Sequence, residues 1–217
     1  MAALLVVYIH NERVVAEQHT HTDNDWSLIA RPITLQDHTI GDVAAPVQVI
    51  VYSDFACKYC ATLFQETIPE LRKVFGNQIV IAYRHRVLSS APQSKIEEEA
   101  SECVYQGGGN IPFWNFANLM FVQPLSVNKN DPALLSNFAQ KSGAGFTAYG
   151  TCMSTHAGAT RVEADTLEAS VAGIDTDPSV ILKSRSRALV IKSGRYSLLY
   201  TGIQYLLNSN TQSAAQK

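Results

Sequence analysis

An α/β fold with an inserted helical region is predicted by three observations in this 217-residue chain. A short β-branched run is followed at once by a helix-periodic one. From about residue 92 to 170 the apolar pattern is helical, and β-branched runs return only near the C-terminus. With 46% hydrophobic residues the chain can bury a substantial core, and its length suits one domain with an insertion better than two independent ones.

Taken in order, residues 1–9 are apolar, too short for a membrane span of about 20 residues and long enough for a signal-peptide core. They lack a basic leading segment, so a clipped signal or anchor and an ordered strand both account for them. Residues 17–25 read as a polar tether, which sets residues 1–40 apart from a domain over 41–217. His19 and His21 in this segment read as solvated side chains rather than metal ligands.

Pro46-Val47-Gln48-Val49-Ile50-Val51-Tyr52 predicts a buried strand over 47–52. Leu63, Phe64, Ile68, Leu71, Val74 and Phe75 recur at three- and four-residue steps, predicting a helix over 58–75 that Gly76-Asn77 ends. A strand over 78–84 follows, then the helical insertion at about 90–170. Within it Phe113, Trp114, Phe116, Leu119, Met120 and Phe121 form a stripe whose default meaning is core packing. Strands are expected over 178–183, 187–192 and 196–201, with a final short helix from about Gln204. The likeness between 179–184 and 188–193 is that of two adjacent strands.

Cys57-Lys58-Tyr59-Cys60 falls between the first of these strands and its helix. Cys57 then lies where backbone N–H groups are unpaired and the helix dipole is positive, which stabilises a thiolate. Cys60, one turn on, can attack a mixed disulfide on Cys57. A structural zinc site needs a second close pair of ligands, and Cys103 and Cys152 are isolated from each other and from the first pair. Redox chemistry therefore outweighs zinc or an inert disulfide, and no metal or other cofactor is expected. Lys58 adds a positive charge to the first turn or is an exposed helix residue; Tyr59 can pack or hydrogen-bond over the site.

Gly41-Asp42, Ala45-Pro46-Val47, Tyr52-Ser53-Asp54-Phe55, the cysteine pair, Tyr83-Arg84-His85, Glu102-Cys103 and Phe113-Trp114 together resemble, in order and spacing, the DsbA-like thiol:disulfide oxidoreductases of the thioredoxin superfamily. The strand–helix–strand opening and the strand–strand–helix ending are the thioredoxin topology in outline. The resemblance covers most of residues 40–205. It implies a thioredoxin fold with a helical insertion, disulfide exchange on secreted or envelope proteins, and a periplasmic or extracytoplasmic location. It also implies a cis-proline loop opposite the active cysteine, matched here by Thr176-Asp177-Pro178, with Pro178 offering a backbone edge to an extended substrate. Asp177 departs from the expected small neutral residue, and a carboxylate beside a thiolate disfavours it, with Lys58 partly offsetting the charge. Arg86-Val87 departs from the Phe-Pro usual after His85.

In an oxidising compartment two remaining cysteines usually pair, so a structural disulfide between Cys103 and Cys152 is favoured over two free thiols. The implied partners are cysteine-containing substrate proteins and a membrane or thioredoxin-like redox partner, with an N-terminal membrane anchor among the readings of residues 1–9. A net charge of −2 and a pI near 6.3 give no electrostatic case for nucleic acid or an anionic membrane surface. Two other function classes fit the same fold: a disulfide isomerase or reductase, which requires Cys57 reduced at steady state, and a non-catalytic binding domain, which the loss of either cysteine would favour.

Overall fold

The computed structural model describes residues 3–10, 13–22, 30–87, 94–185 and 187–215. Seven strands form one mixed sheet in the order β2-β1-β7-β6-β4-β5-β3. They are β1 (Ala3–His10), β2 (Arg13–Thr22), β3 (His38–Ile40), β4 (Val47–Ser53), β5 (Ile79–His85), β6 (Ser179–Lys183) and β7 (Ala188–Ile191). β4 runs parallel to β5, with Ser53 opposite His85, and antiparallel to β6, with Tyr52 opposite Ser179. The ends of β4, β5 and β6 that carry these residues therefore meet at one edge of the sheet.

The helical run after β4 comprises α1 (Lys58–Thr62), a wider π turn (Leu63–Thr67) and α2 (Ile68–Phe75). Gly76, at φ 50°, ends it in a conformation that favours glycine. The insertion is five helices: α3 (Lys95–Gly108), α4 (Asn110–Val122), α5 (Pro132–Ser142), α6 (Phe146–Thr155) and α7 (Ala159–Val171). Both faces of β4 are covered, which is why its sequence is almost continuously apolar. Val47, Val49 and Val51 join the core beneath α2 and the C-terminal helix, while Ile50 and Tyr52 face Ala30, Ile33 and Ala169.

Two expectations are corrected. The third C-terminal strand, over 196–201, is the start of a long helix, α8 (Tyr196–Ala215). Leu199, Ile203 and Leu206 are fully buried at four- and three-residue steps, a helical period that outweighs the β-forming composition of 196–201. At the other end, residues 17–22 are not a tether. They belong to β2, which pairs with β1, and β1 in turn lies parallel to β7 with Val6 opposite Ala188. The hairpin thus covers backbone groups that β7 would otherwise present at a bare edge. Residues 23–25 of the expected tether lie outside the described residues. No helix among the described residues is long and apolar enough to cross a membrane.

Candidate active site

The structure places Cys57 immediately before α1 and joins it to Cys60 in a disulfide, with Cα atoms 5.2 Å apart. The turn leading in is fixed by its backbone, Cys57 N–H donating to Asp54 O at 3.0 Å. Cys57 Sγ accepts from Cys60 N–H at 3.1 Å, so the sulfur caps the helix as a serine or aspartate oxygen would. The two sulfurs differ in access. Cys57 is 8% exposed and Cys60 is fully buried, which makes Cys57 the more reachable of the two.

The Asp177–Pro178 peptide is cis, and β6 begins one residue later. A Cβ placed on Gly194 would fall 2.9 Å from Pro178 Cγ and 3.0 Å from Leu63 Cβ. The bare Gly194 backbone therefore lies between the proline ring and the π turn three residues beyond Cys60. Thr67 Oγ1 donates to Gly194 O at 3.1 Å and holds it there. Pro178 and the cysteine helix are in this way packed through a single glycine.

Asp177 is not offset by Lys58, which is exposed on the first turn of α1. Its carboxylate pairs with Arg86, the residue after β5, and is 3% exposed. The two departures from the family pattern thus meet each other across ninety-one positions. Burial, less the attraction of Arg86, pushes the Asp177 carboxyl up to about 7, with the nearby Asp54 carboxylate adding to the rise. Asp177 Oδ1 is buried without a hydrogen-bond partner. Tyr59 stands 70% exposed beside Cys57 rather than packed over the site.

Behind the cysteine loop lies a set of buried ionisable groups that their positions in the sequence did not single out. Phe55 is held from both sides: its N–H donates to Glu98 at 2.8 Å and its carbonyl accepts from Lys129 Nζ at 2.8 Å. Asp54 accepts from Ser94 Oγ at 2.6 Å and from Ala56 N–H at 2.7 Å. Glu97, Glu98 and Glu99 are all nearly or fully buried on α3, against the usual expectation that a run of three acids faces water. Burial and the neighbouring Glu98 push Glu97 up to about 8, and burial, opposed by His85, brings Glu98 to about 7. The available signal was the i, i+4 spacing of Glu98 and Glu102 on the helix that faces Tyr83-Arg84-His85.

His85 bridges these two acids, its Nδ1 meeting Glu98 Oε2 and its Nε2 meeting Glu102 Oε1 at 2.6 Å. His38 Nε2 reaches the same Glu102 oxygen at 2.5 Å. Among the described residues His38, His85 and Glu102 are the one grouping with metal-ligand character. Their N···O separations are well short of the roughly 3.3 Å between ligands of a tetrahedral site with bonds near 2.0 Å. The cluster is a hydrogen-bonded chain with His85 doubly donating. Burial pulls the His85 pKa down, but the bonds and charges of Glu102 and Glu98 prevail and hold it at about 10.

Cys103 on α3 and Cys152 on α6 are bonded, with Cα atoms 5.4 Å apart. Both belong to the apolar cluster that contains Cys57, Cys60, Phe113, Phe116 and Met120. Within the predicted stripe, Phe113, Phe116, Met120 and Phe121 are core residues, and Trp114 donates its indole N–H to Thr39 O at 3.1 Å.

Comparison with known proteins gives a consistent result. A family profile described as thioredoxin matches residues 34–195. Among solved structures, oxidised BdbD from Bacillus subtilis superposes with a TM-score of 0.68 at 21% identity, covering 79% of this chain and 93% of that one. Wolbachia pipientis α-DsbA1 also gives 0.68, at 18% identity over 82% and 94%. Chlamydia trachomatis DsbA gives 0.65 at 14% identity over 83% and 92%. At these identities the likeness is one of fold. Among curated sequences the chain is similar to a Na(+)/H(+) antiporter NhaA 1 of Salinispora arenicola, 26% identical over 151 residues, covering 69% of this chain and 22% of that protein. NhaA of Nitrosospira multiformis is 26% identical over 149 residues, with 69% and 23% covered. The chain thus spans under a quarter of the length of these relatives.

Proposed function

This chain belongs to the thioredoxin family, and on that premise we propose that it is a thiol:disulfide oxidoreductase that introduces or exchanges disulfides in proteins outside the reducing cytoplasm. The observation that carries the reading is the Cys57–Cys60 disulfide at the start of a helix, its first cysteine slightly exposed and its second fully buried. A substrate thiolate attacks Cys57 Sγ. The Cys57–Cys60 bond breaks, its electron pair leaves on Cys60, and that sulfur takes up a proton. A second substrate thiolate then attacks the substrate sulfur of the mixed disulfide, and Cys57 departs as a thiolate stabilised by the helix start. The substrate dithiol has lost two electrons and two protons; the protein's cysteine pair has gained both electrons and, on Cys60, one proton, and the other proton passes to solvent.

A disulfide-bearing partner, membrane-bound or thioredoxin-like, reverses the exchange and restores the oxidised pair. The edge at cis-Pro178 offers backbone pairing to an extended substrate segment, and the Cys103–Cys152 disulfide supports an oxidising, extracytoplasmic location.

Equilibration with glutathione buffers, read by trapping thiols at the Cys57 and Cys60 peptides, tests this reading. The expected result is a defined two-electron couple and stoichiometric oxidation of a dithiol peptide. A potential at the oxidising end makes the protein an oxidase and one about 150 mV lower a reductase; absence of any exchange with the peptide would overturn the assignment.

A further inference from the structure

We propose that Arg86 is a positioning residue for disulfide exchange: it anchors the turn over residues 174–178 to the ends of β4 and β5, and it balances the carboxylate that precedes the cis-proline. The inference rests on the thiol:disulfide reading above. Arg86 makes three contacts that no other described residue combines. Its backbone N–H donates to Ser53 O at 2.9 Å, extending the sheet one residue beyond β5. Its Nε donates to Ile174 O at 3.1 Å, and its Nη1 pairs with Asp177 Oδ2. One guanidinium therefore grips the turn near its beginning and again at the residue before Pro178, while its main chain is fixed to the strand that leads directly to Cys57.

Both side chains are largely withdrawn from water, Arg86 at 13% and Asp177 at 3% exposure. In that setting the pair is screened less than a surface ion pair; without Asp177 the guanidinium is left uncompensated, and without Arg86 the Asp177 carboxyl, already raised by burial, takes up a proton. The free Oδ1 of Asp177 has no protein partner to take over if Arg86 is lost. Two opposed electrostatic effects follow. Removing the guanidinium disfavours a thiolate at Cys57 and weakens the couple as an oxidant. Removing the carboxylate leaves the guanidinium unpaired and strengthens it.

The test is a double-mutant cycle on the equilibrium between the Cys57–Cys60 pair and glutathione. Arg86→Gln is expected to lower the oxidising equilibrium constant about tenfold and Asp177→Asn to raise it about tenfold, each about 30 mV for a two-electron couple. The double variant should return to within threefold of wild type. Arg86→Lys, which keeps the charge without the fork, should hold the equilibrium within threefold of wild type while slowing oxidation of a dithiol peptide at least threefold. A purely structural role for Arg86 would lower thermal stability without opposed shifts. Shifts in the same direction, or none, would overturn the proposal. If Arg86→Gln does not fold, Asp177→Asn decides, since an unchanged equilibrium there also overturns it. Wild-type protein that fails to exchange at all rejects the oxidoreductase reading instead, and that measurement comes first.

Discussion

At the scale of single residues, access separates two chemically identical side chains. Reduction frees both sulfurs, but Cys57 keeps some exposure, at 8%, with a helix start behind it, while Cys60 has none. Reduced protein is expected to react with iodoacetamide first at Cys57, with an apparent pKa below the free value of about 8.5, as peptide mass spectrometry across pH would record. Cys57→Ser should abolish exchange and Cys60→Ser should accumulate mixed disulfides; faster labelling of Cys60 would reverse the roles. The cysteine pair was legible in the sequence because its signal is local, a spacing of three with a strand before it, whereas Pro178 entered the reading through the resemblance. The partner of Asp177 was not legible, because Arg86 is ninety-one positions away and only the β4–β5–β6 pairing brings it close. Lys58 was the nearer cation in sequence and is exposed in the fold.

At the scale of elements, the proline loop and the cysteine helix touch through Gly194. Gly194→Ala would force a methyl group against Pro178 Cγ and Leu63 Cβ, neither of which is the end of a flexible chain. Overpacking of this kind costs about 1–3 kcal/mol. A urea midpoint lowered to match, together with slower peptide oxidation, is the expected result, and unchanged kinetics would mean that the contact does not govern the site. The α3–α6 staple is tested separately. Closing a loop with a sequence separation of 49 restricts the unfolded chain by about 4 kcal/mol in the entropy model. Cys103→Ala with Cys152→Ala should lower stability by up to that amount while leaving the Cys57–Cys60 couple within a few millivolts, and mild reduction should open the active pair first. Most elements were readable from periodicity. α8 was misread at its first turns because Tyr196, Leu198 and Leu199 have the composition of a strand, and only the continuation to Ile203 and Leu206 reveals the helical period. Of the β1–β2 hairpin the apolar first strand was among the readings, but the polar composition of residues 17–22 reads as a tether, and docking on the distant β7 leaves no local mark.

At the scale of the whole molecule, the buried ionisable groups give the fold a directional response to pH. His85 is held up at about 10, so its contribution is complete below its unfolded value of 6.5 and is lost as pH rises toward 10. Glu97 at about 8 and Glu98 at about 7 also bind protons in the fold that the unfolded chain has released, so between about pH 4.5 and 8 they too make stability fall as pH rises. Glu102, held low because His38 and His85 outweigh its burial, acts oppositely and protects the fold only above its depressed value. Urea midpoints should therefore decline from pH 5 to pH 10, and His85→Gln should flatten the upper part of that decline; a midpoint rising over this interval would contradict the assignment. A second network ties distant parts together: fully buried Arg84 contacts Asp37 and Glu168, and Arg31 reaches both Asp165 and Glu168. The first strands add a consequence for synthesis. β1 and β2 can pair as soon as both leave the ribosome, yet the edge they dock on is β7, whose residues are made about 180 positions later. The hairpin must wait, and because long-range pairing is slow to form, it is the part of the nascent chain left longest with an open edge.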